Sequence, residues 1–108
     1  MPKGGRMEMA MNIIKAREGS TLSVALQGRL NTAAAHQLET EIRPILDSIT
    51  VLIWDLTELE YMSAAGLRLL RAAQKVMNRQ GKMVVVNANE TITELFEITG
   101  FTSILTLE

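Results

Sequence analysis

The stretch Val51–Leu70, VLIWDLTELEYMSAAGLRLL, decides the fold of this chain. Val51, Leu52, Ile53 and Trp54 form a continuous apolar run that closes on Asp55. A run that is apolar on both faces suits the interior of a parallel sheet covered by helices. Asp55–Glu60 breaks the run with polar residues and predicts a connecting turn region, after which Tyr61 and Met62 are apolar again. From Ser63 the period changes. Leu67, Leu70, Ala73 and Met77 recur at steps of three and four, the spacing of a helix with one buried stripe. Ser63 stands where an N-cap belongs, its hydroxyl able to accept from an unpaired amide of the first turn. Ala64 and Ala65 are small and favour helix. Gly66 weakens the first turn, so it serves either close backbone approach or an open surface. The pattern places a helix N-terminus at the carboxyl end of a strand, where open α/β sheets tend to carry their sites. Its amides and dipole are suited to anions. An ordinary capped βα junction satisfies the same pattern.

Upstream, Leu22, Val24 and Leu26 alternate with Ser23, Ala25 and Gln27, as in a strand with one buried face. With Asn12–Arg17 before it and Gly19-Ser20 between, this predicts an antiparallel hairpin at one edge of the sheet. Residues 1–10 are polar, with glycine and alternating methionines, and are expected to form a flexible N-terminal tail ahead of one domain, 11–108. Gly28-Arg29-Leu30-Asn31-Thr32 leads into a helix that Asn31 or Thr32 can cap. That turn either caps alone or lies beside Ser63 to form one recognition surface. Leu38, Ile42, Ile45 or Leu46, and Ile49 make the helix's apolar stripe, and Pro44 predicts a kink or a break near Ile42–Ile45. His36 reads as a surface residue, since no nucleophile accompanies it.

Downstream, Arg68, Arg71, Lys75 and Arg79 form a solvated basic face on the second helix, which Gly81 ends with a left-handed stop. Met83–Val86 reads as a buried strand. Asn89 caps a third helix with Ile92, Leu95, Phe96 and Thr99 as its stripe, Gly100 ends it, and Ile104–Leu107 reads as a last short strand. After the hairpin the order is α, β, α, β, α, β, which calls for parallel strands with crossover helices.

The 108 residues amount to one domain, large enough to bury a core without staples. With no cysteine and a single histidine, neither a disulfide framework nor a multi-histidine metal site is available. Lys and Arg total 11 against 12 Asp and Glu, a balance unlike a nucleic-acid-binding footprint. No apolar run approaches the roughly 20 residues that span a bilayer. Nor does the N-terminus resemble a signal peptide. The expectation is a soluble cytoplasmic protein. No Walker loop, dinucleotide glycine pattern or nucleophile elbow is present. Asp55 reads as a loop-organising acceptor, and Glu58 and Glu60 as solvated turn residues. The chain is therefore expected to be a binding module that is not an enzyme and takes no cofactor or metal.

The segment D-L-T-E-L-E-Y-M-S-A-A-G-L resembles the signature of STAS domains, the fold of bacterial anti-sigma factor antagonists and of the cytoplasmic tails of sulfate transporters. Asp55, Leu56, Thr57, Leu59, Tyr61, Met62, Gly66 and Leu67 match it, and Ser63 falls on its Asp-or-Ser position. Ala64 occupies the position of the family's phospho-acceptor and has no hydroxyl. Gly28-Arg29-Leu30-Asn31 resembles the family's G-x-L-D segment, with Asn for Asp. The resemblance runs from about Asn12 to Leu107. It implies a mixed α/β sheet with helices mainly on one side, and partner switching: binding an anti-sigma factor, commonly a serine kinase, and so freeing its sigma factor. The implied partner surface comprises Asn31, Thr32, Ser63, Ala64, Gly66 and Leu67, on a monomer or weak dimer. Ser63 is the one hydroxyl near the usual acceptor, and so the possible phosphorylation site. Because a capping hydroxyl points at the helix amides and lies one residue early, the expectation is an antagonist without the usual switch. A STAS adaptor subunit of a transporter or larger complex, and a small-ligand sensor with a pocket near Asn31 and Ser63, are the alternatives.

Overall fold

The computed structural model describes residues 11–108; the expected N-terminal tail lies outside the described residues. Two strands, β1 (Met11–Glu18) and β2 (Thr21–Leu30), form the opening hairpin, antiparallel through the turn at Gly19-Ser20. Helix α1 (Thr32–Leu46) leads to β3 (Val51–Met62), and α2 (Ala64–Gln80) leads to β4 (Lys82–Val86). Helix α3 (Glu90–Thr99) and a short 3-10 turn at Phe101–Ser103 close the chain. The sheet order is β1-β2-β3-β4, with β2, β3 and β4 parallel.

Alternation within the strands sends one set of side chains under the helices. Leu22, Val24 and Leu26 of β2, Leu52, Trp54 and Leu56 of β3, and Met83 and Val85 of β4 are buried in one cluster. Leu38 and Ile42 of α1, Leu70, Ala73 and Met77 of α2, and Ile92 and Phe96 of α3 complete it. Trp54, the largest of these, is fully inaccessible. On the other face Ser23, Ala25, Val51 and Ile53 are only half-buried. All three helices therefore pack on one side of a mixed sheet, as expected.

Four local expectations need correction. Asp55–Glu60 is not a turn but the second half of β3, which runs unbroken to Met62. Seven residue steps in β3, from Asp55 to Met62, lie against five in β2, from Ala25 to Leu30. Two bulges absorb the extra residues, and the buried positions fall at Leu56, Leu59 and Met62. A bulged strand loses its period of two, so its sequence imitates a loop. Opposite the bulges Gly28 adopts φ 107°, a conformation that side chains strongly disfavour. Pro44 does not split α1, which runs continuously to Leu46. Proline there lies in the last turn with its ring exposed, two residues before the helix would end anyway. Gly81 ends α2 with φ 173°, not in the left-handed region. Glycine is needed because the Thr50 carbonyl oxygen lies 1.8 Å from where a Cβ would be. The expected last strand shrinks to one parallel bridge, Leu107 beside Val85, held by bonds from Val85 N–H to Thr106 and from Glu108 N–H to Val85.

Strand β4 pairs with β3 only as far as Asp55. At that branch Asp55 Oδ1 accepts from the hydroxyl (2.6 Å) and the amide (3.0 Å) of Thr57, and from Asn87 Nδ2 at 3.3 Å. Asn87 carries φ 61°, turning the chain away from the sheet. The Thr57 hydroxyl, then its amide, and last Asn87 hold the Asp55 carboxyl below its usual value, against an opposing effect of burial that exceeds the Asn87 contribution.

Two outcomes follow from this packing. Leu52→Ala should lower unfolding stability in urea by about 2–5 kcal/mol. A loss below about 0.5 kcal/mol, the range of surface changes, would contradict an interior β3. Asp55 has a folded-state pKa below its unfolded value. Its contribution should be complete above the ordinary carboxylate range and lost as pH falls through the lowered value. The stability difference between wild type and Asp55→Asn should thus be constant from pH 7 to about pH 5 and shift on further acidification as the carboxylate's contribution is lost. A difference independent of pH throughout would contradict the role given to the carboxylate.

Candidate functional site: the joined helix heads

Because β2, β3 and β4 are parallel, the three helices that follow them start at the same end of the sheet. Each start is capped by a side chain that reads from sequence. Asn31 Oδ1 accepts from Ala34 N–H at 2.8 Å, Ser63 Oγ from Gly66 N–H at 3.2 Å, and Asn89 Oδ1 from Ile92 N–H at 2.9 Å. All three caps have the extended backbone that the role requires.

The first two heads are joined. Leu30 and Met62 are register partners, and the Ser63 amide donates to the Leu30 carbonyl at 2.8 Å. The sheet ladder therefore extends into the cap of α2. Gly66 seals the joint: a Cβ there would lie 2.8 Å from both Leu30 Cδ2 and Met62 Cγ. Of the two roles expected for this glycine, close approach is the one present. The third head is tied on by Asn89, whose Nδ2 donates to the Leu59 carbonyl at 2.7 Å. This link across 30 residues has no local signal in the sequence.

The residues singled out from sequence divide into two layers. Thr32 and Ala64 are exposed and Asn31 is half-buried. Ser63 is 8% exposed, and Gly66 and Leu67 are buried beneath it. Capping does not leave Ser63 exposed, because its amide is bonded to the Leu30 carbonyl and its hydroxyl to the first turn of α2. What faces outward at this point is Ala64, small and uncharged. Neither α1 nor α2 carries an acidic residue in its first turn, so both positive dipole ends lack a local carboxylate.

Sequence reasoning missed the surroundings. Arg29 places its guanidinium 4.5 Å from the Tyr61 ring centroid, a cation–π contact beside the α2 head. Cavities of about 250 Å³ lie between α1 and α2, one lined by Ala35, His36, Ala65 and Arg68 and the other by Ile42, Leu46, Leu69 and Val76. Another of about 260 Å³ lies between the end of β3 and α3. None of these three is lined by Asn31 or Ser63. Among the described residues no cluster of three or more His, Asp or Glu could hold a metal, and no helix is long and apolar enough to cross a membrane.

The tight joint generates a prediction about Gly66. Replacing it by alanine gains about 1 kcal/mol of helix propensity but overpacks Leu30 and Met62 at about 1–3 kcal/mol. Gly66→Ala should be net destabilising by about 1 kcal/mol in urea unfolding. A stabilised variant would contradict the close approach.

Comparison with known proteins gives the family. A family model described as the STAS domain matches residues 12–108. A Bordetella bronchiseptica protein described as an anti-sigma factor antagonist, BtrV, is 40% identical over 85 residues, covering 77% of this chain and 73% of its own. The anti-sigma-B factor antagonist of Listeria monocytogenes is 30% identical over 104 residues, covering 91% and 90%. Among solved structures, the unphosphorylated anti-sigma factor antagonist SpoIIAA superposes with a TM-score of 0.78 at 20% identity, over 92% of this chain and 88% of its own. An anti-sigma factor antagonist from Mycobacterium paratuberculosis gives 0.80 at 21% identity, over 90% and 84%. At those identities the structural likeness concerns the fold, and the sequence matches carry the family assignment. The chain belongs to the STAS domain family.

Proposed function

We propose that this protein is an anti-sigma factor antagonist: a cytoplasmic, non-catalytic binding protein that captures an anti-sigma factor and thereby frees a sigma factor. The observation that carries the reading is that relatives matched over most of both chains bear that one name. The geometry supports it physically. Thr32, Asn31 and Ala64 offer a low, uncharged contact patch, while Ser63, Gly66 and Leu67 shape it from below. A patch clamped by backbone hydrogen bonds has little freedom to lose on binding, which favours affinity.

In this reading the partner is an anti-sigma factor of the serine-kinase type, and the antagonist lacks the usual switch. Ala64 offers no hydroxyl. Ser63 is buried, and its Oγ is occupied by the Gly66 amide. Phosphate transfer to Ser63 would first require opening that cap, at about 1 kcal/mol, and would also require exposing the side chain. Control therefore lies elsewhere, in the amount of antagonist or in the partner.

The test is affinity capture of the full chain from cells of its source, followed by mass spectrometry. Recovery of an anti-sigma factor is expected; recovery of transporter components alone would support an adaptor subunit instead. With the recovered anti-sigma factor, Ala64→Glu should weaken binding at least tenfold by calorimetry while leaving the unfolding curve unchanged. Unaltered affinity would place the interface elsewhere. Incubated with that factor and ATP, wild type should gain no phosphate and Ala64→Ser should gain one. Stoichiometric phosphate on Ser63 would overturn the account of the lost switch.

A further inference from the structure

We infer that the groove between the bulged end of β3 and α3 is a second docking surface, which receives an apolar segment of the same partner flanked by lysine or arginine. The inference rests on the binding role proposed above and extends it to a surface outside the α2 head.

Large apolar side chains are exposed at few places among the described residues, and two of them, Tyr61 (40%) and Ile98 (78%), meet here. Together with Met62 and Leu95 they line a cavity of about 260 Å³ whose rim carries Glu60 and Glu94. An exposed apolar patch with a polar rim is the usual mark of a protein contact. The fold makes this one in two ways. Beyond Asp55 no β4 residue pairs with β3, so this half of β3 faces α3 across its outer edge. Helix α3 turns Phe96 and Ile92 into the core, and a second stripe, Thr91–Glu94/Leu95–Ile98, then lies along the groove.

Charge selects the occupant. Helix α3 carries Glu90, Glu94 and Glu97 and no basic residue. Among the described residues none of these carboxylates, nor Glu58 or Glu60, takes part in an ion pair. The nearby cation, Arg29, is stacked on the Tyr61 ring. Such a rim repels nucleic-acid phosphates and anionic membranes, and favours cations. The basic face of this chain's own α2 carries no exposed large apolar side chain that could enter the groove. The occupant is therefore a different protein. Met62 lines the groove and is followed directly by Ser63 and Ala64, so one partner can cover both surfaces.

The experiment is calorimetry with the anti-sigma factor recovered by capture, against wild type, Ala64→Glu, Ile98→Ser and the double variant Glu60→Lys/Glu94→Lys, from low to high NaCl. All the altered groove side chains are exposed, and unfolding curves check that the variants fold. The expected result is at least a tenfold loss for Ile98→Ser and for the charge-reversed pair, with wild-type affinity falling as salt rises and the pair's affinity falling less. Wild-type affinity in either groove variant, alongside a loss in Ala64→Glu, would overturn the groove and leave the antagonist reading standing. Failure of wild type to bind any anti-sigma factor would overturn that reading and the groove with it.

Discussion

One backbone hydrogen bond organises the helix-head end of this domain: the Ser63 amide donating to the Leu30 carbonyl at 2.8 Å. Without it, the β2–β3 pairing would stop at Leu30 and Met62, short of the α2 cap. With it, the β2–β3 ladder persists past the last strand residue and fixes the entry of α2 against the entry of α1. The two bulges bring Met62 opposite Leu30 despite the unequal lengths of the strands. Gly66 then allows α2 to settle on that pair, because any larger residue would meet Leu30 and Met62. Asn89 draws α3 to the same assembly through Leu59. Three helix heads, each satisfied by its own cap, are thereby held at one end of the sheet.

This construction accords with the binding role proposed above. The polar groups at the joint are spent on one another: cap oxygens on helix amides, the Ser63 amide on Leu30, the Asn89 side-chain amide on Leu59. What remains outside is shape and charge. Ala64 is a small, neutral summit, the α2 flank is basic through Arg68, Arg71, Lys75 and Arg79, and the α3 flank is acidic. The net charge of −1 conceals that separation. A partner meeting such a surface finds contrasting fields on either side of one contact point, an arrangement that fixes orientation.

Much of this was legible in the sequence where the signal is local. Asn31, Ser63 and Asn89 announce their caps because capping depends on a residue and the amides three positions on. The stripe Leu67, Leu70, Ala73, Met77 announces α2 because helical burial has a fixed period. The second half of β3 was not legible, since bulges convert an alternating pattern into one with apolar residues every third position. The burial of Ser63 depends on Leu30, 33 positions earlier, and no window around Ser63 contains that information. The groove at Tyr61 and Ile98 requires α3 to lie along the bulged end of β3. Its one local trace was Ile98, a large apolar residue on the outward side of a helix whose core stripe is already complete without it.

The central claim is that the heads of α1 and α2 form one fixed unit through the Leu30–Ser63 bond. Native-state amide hydrogen exchange at Ser63 tests it most directly. An amide in that bond should be released only with unfolding of the sheet, so its protection should match that of Leu52 and Trp54 in the β3 interior. If Ser63 exchanges far faster than those amides, at a rate set by local fraying of the α2 start, the joint is not rigid and the account of the site fails.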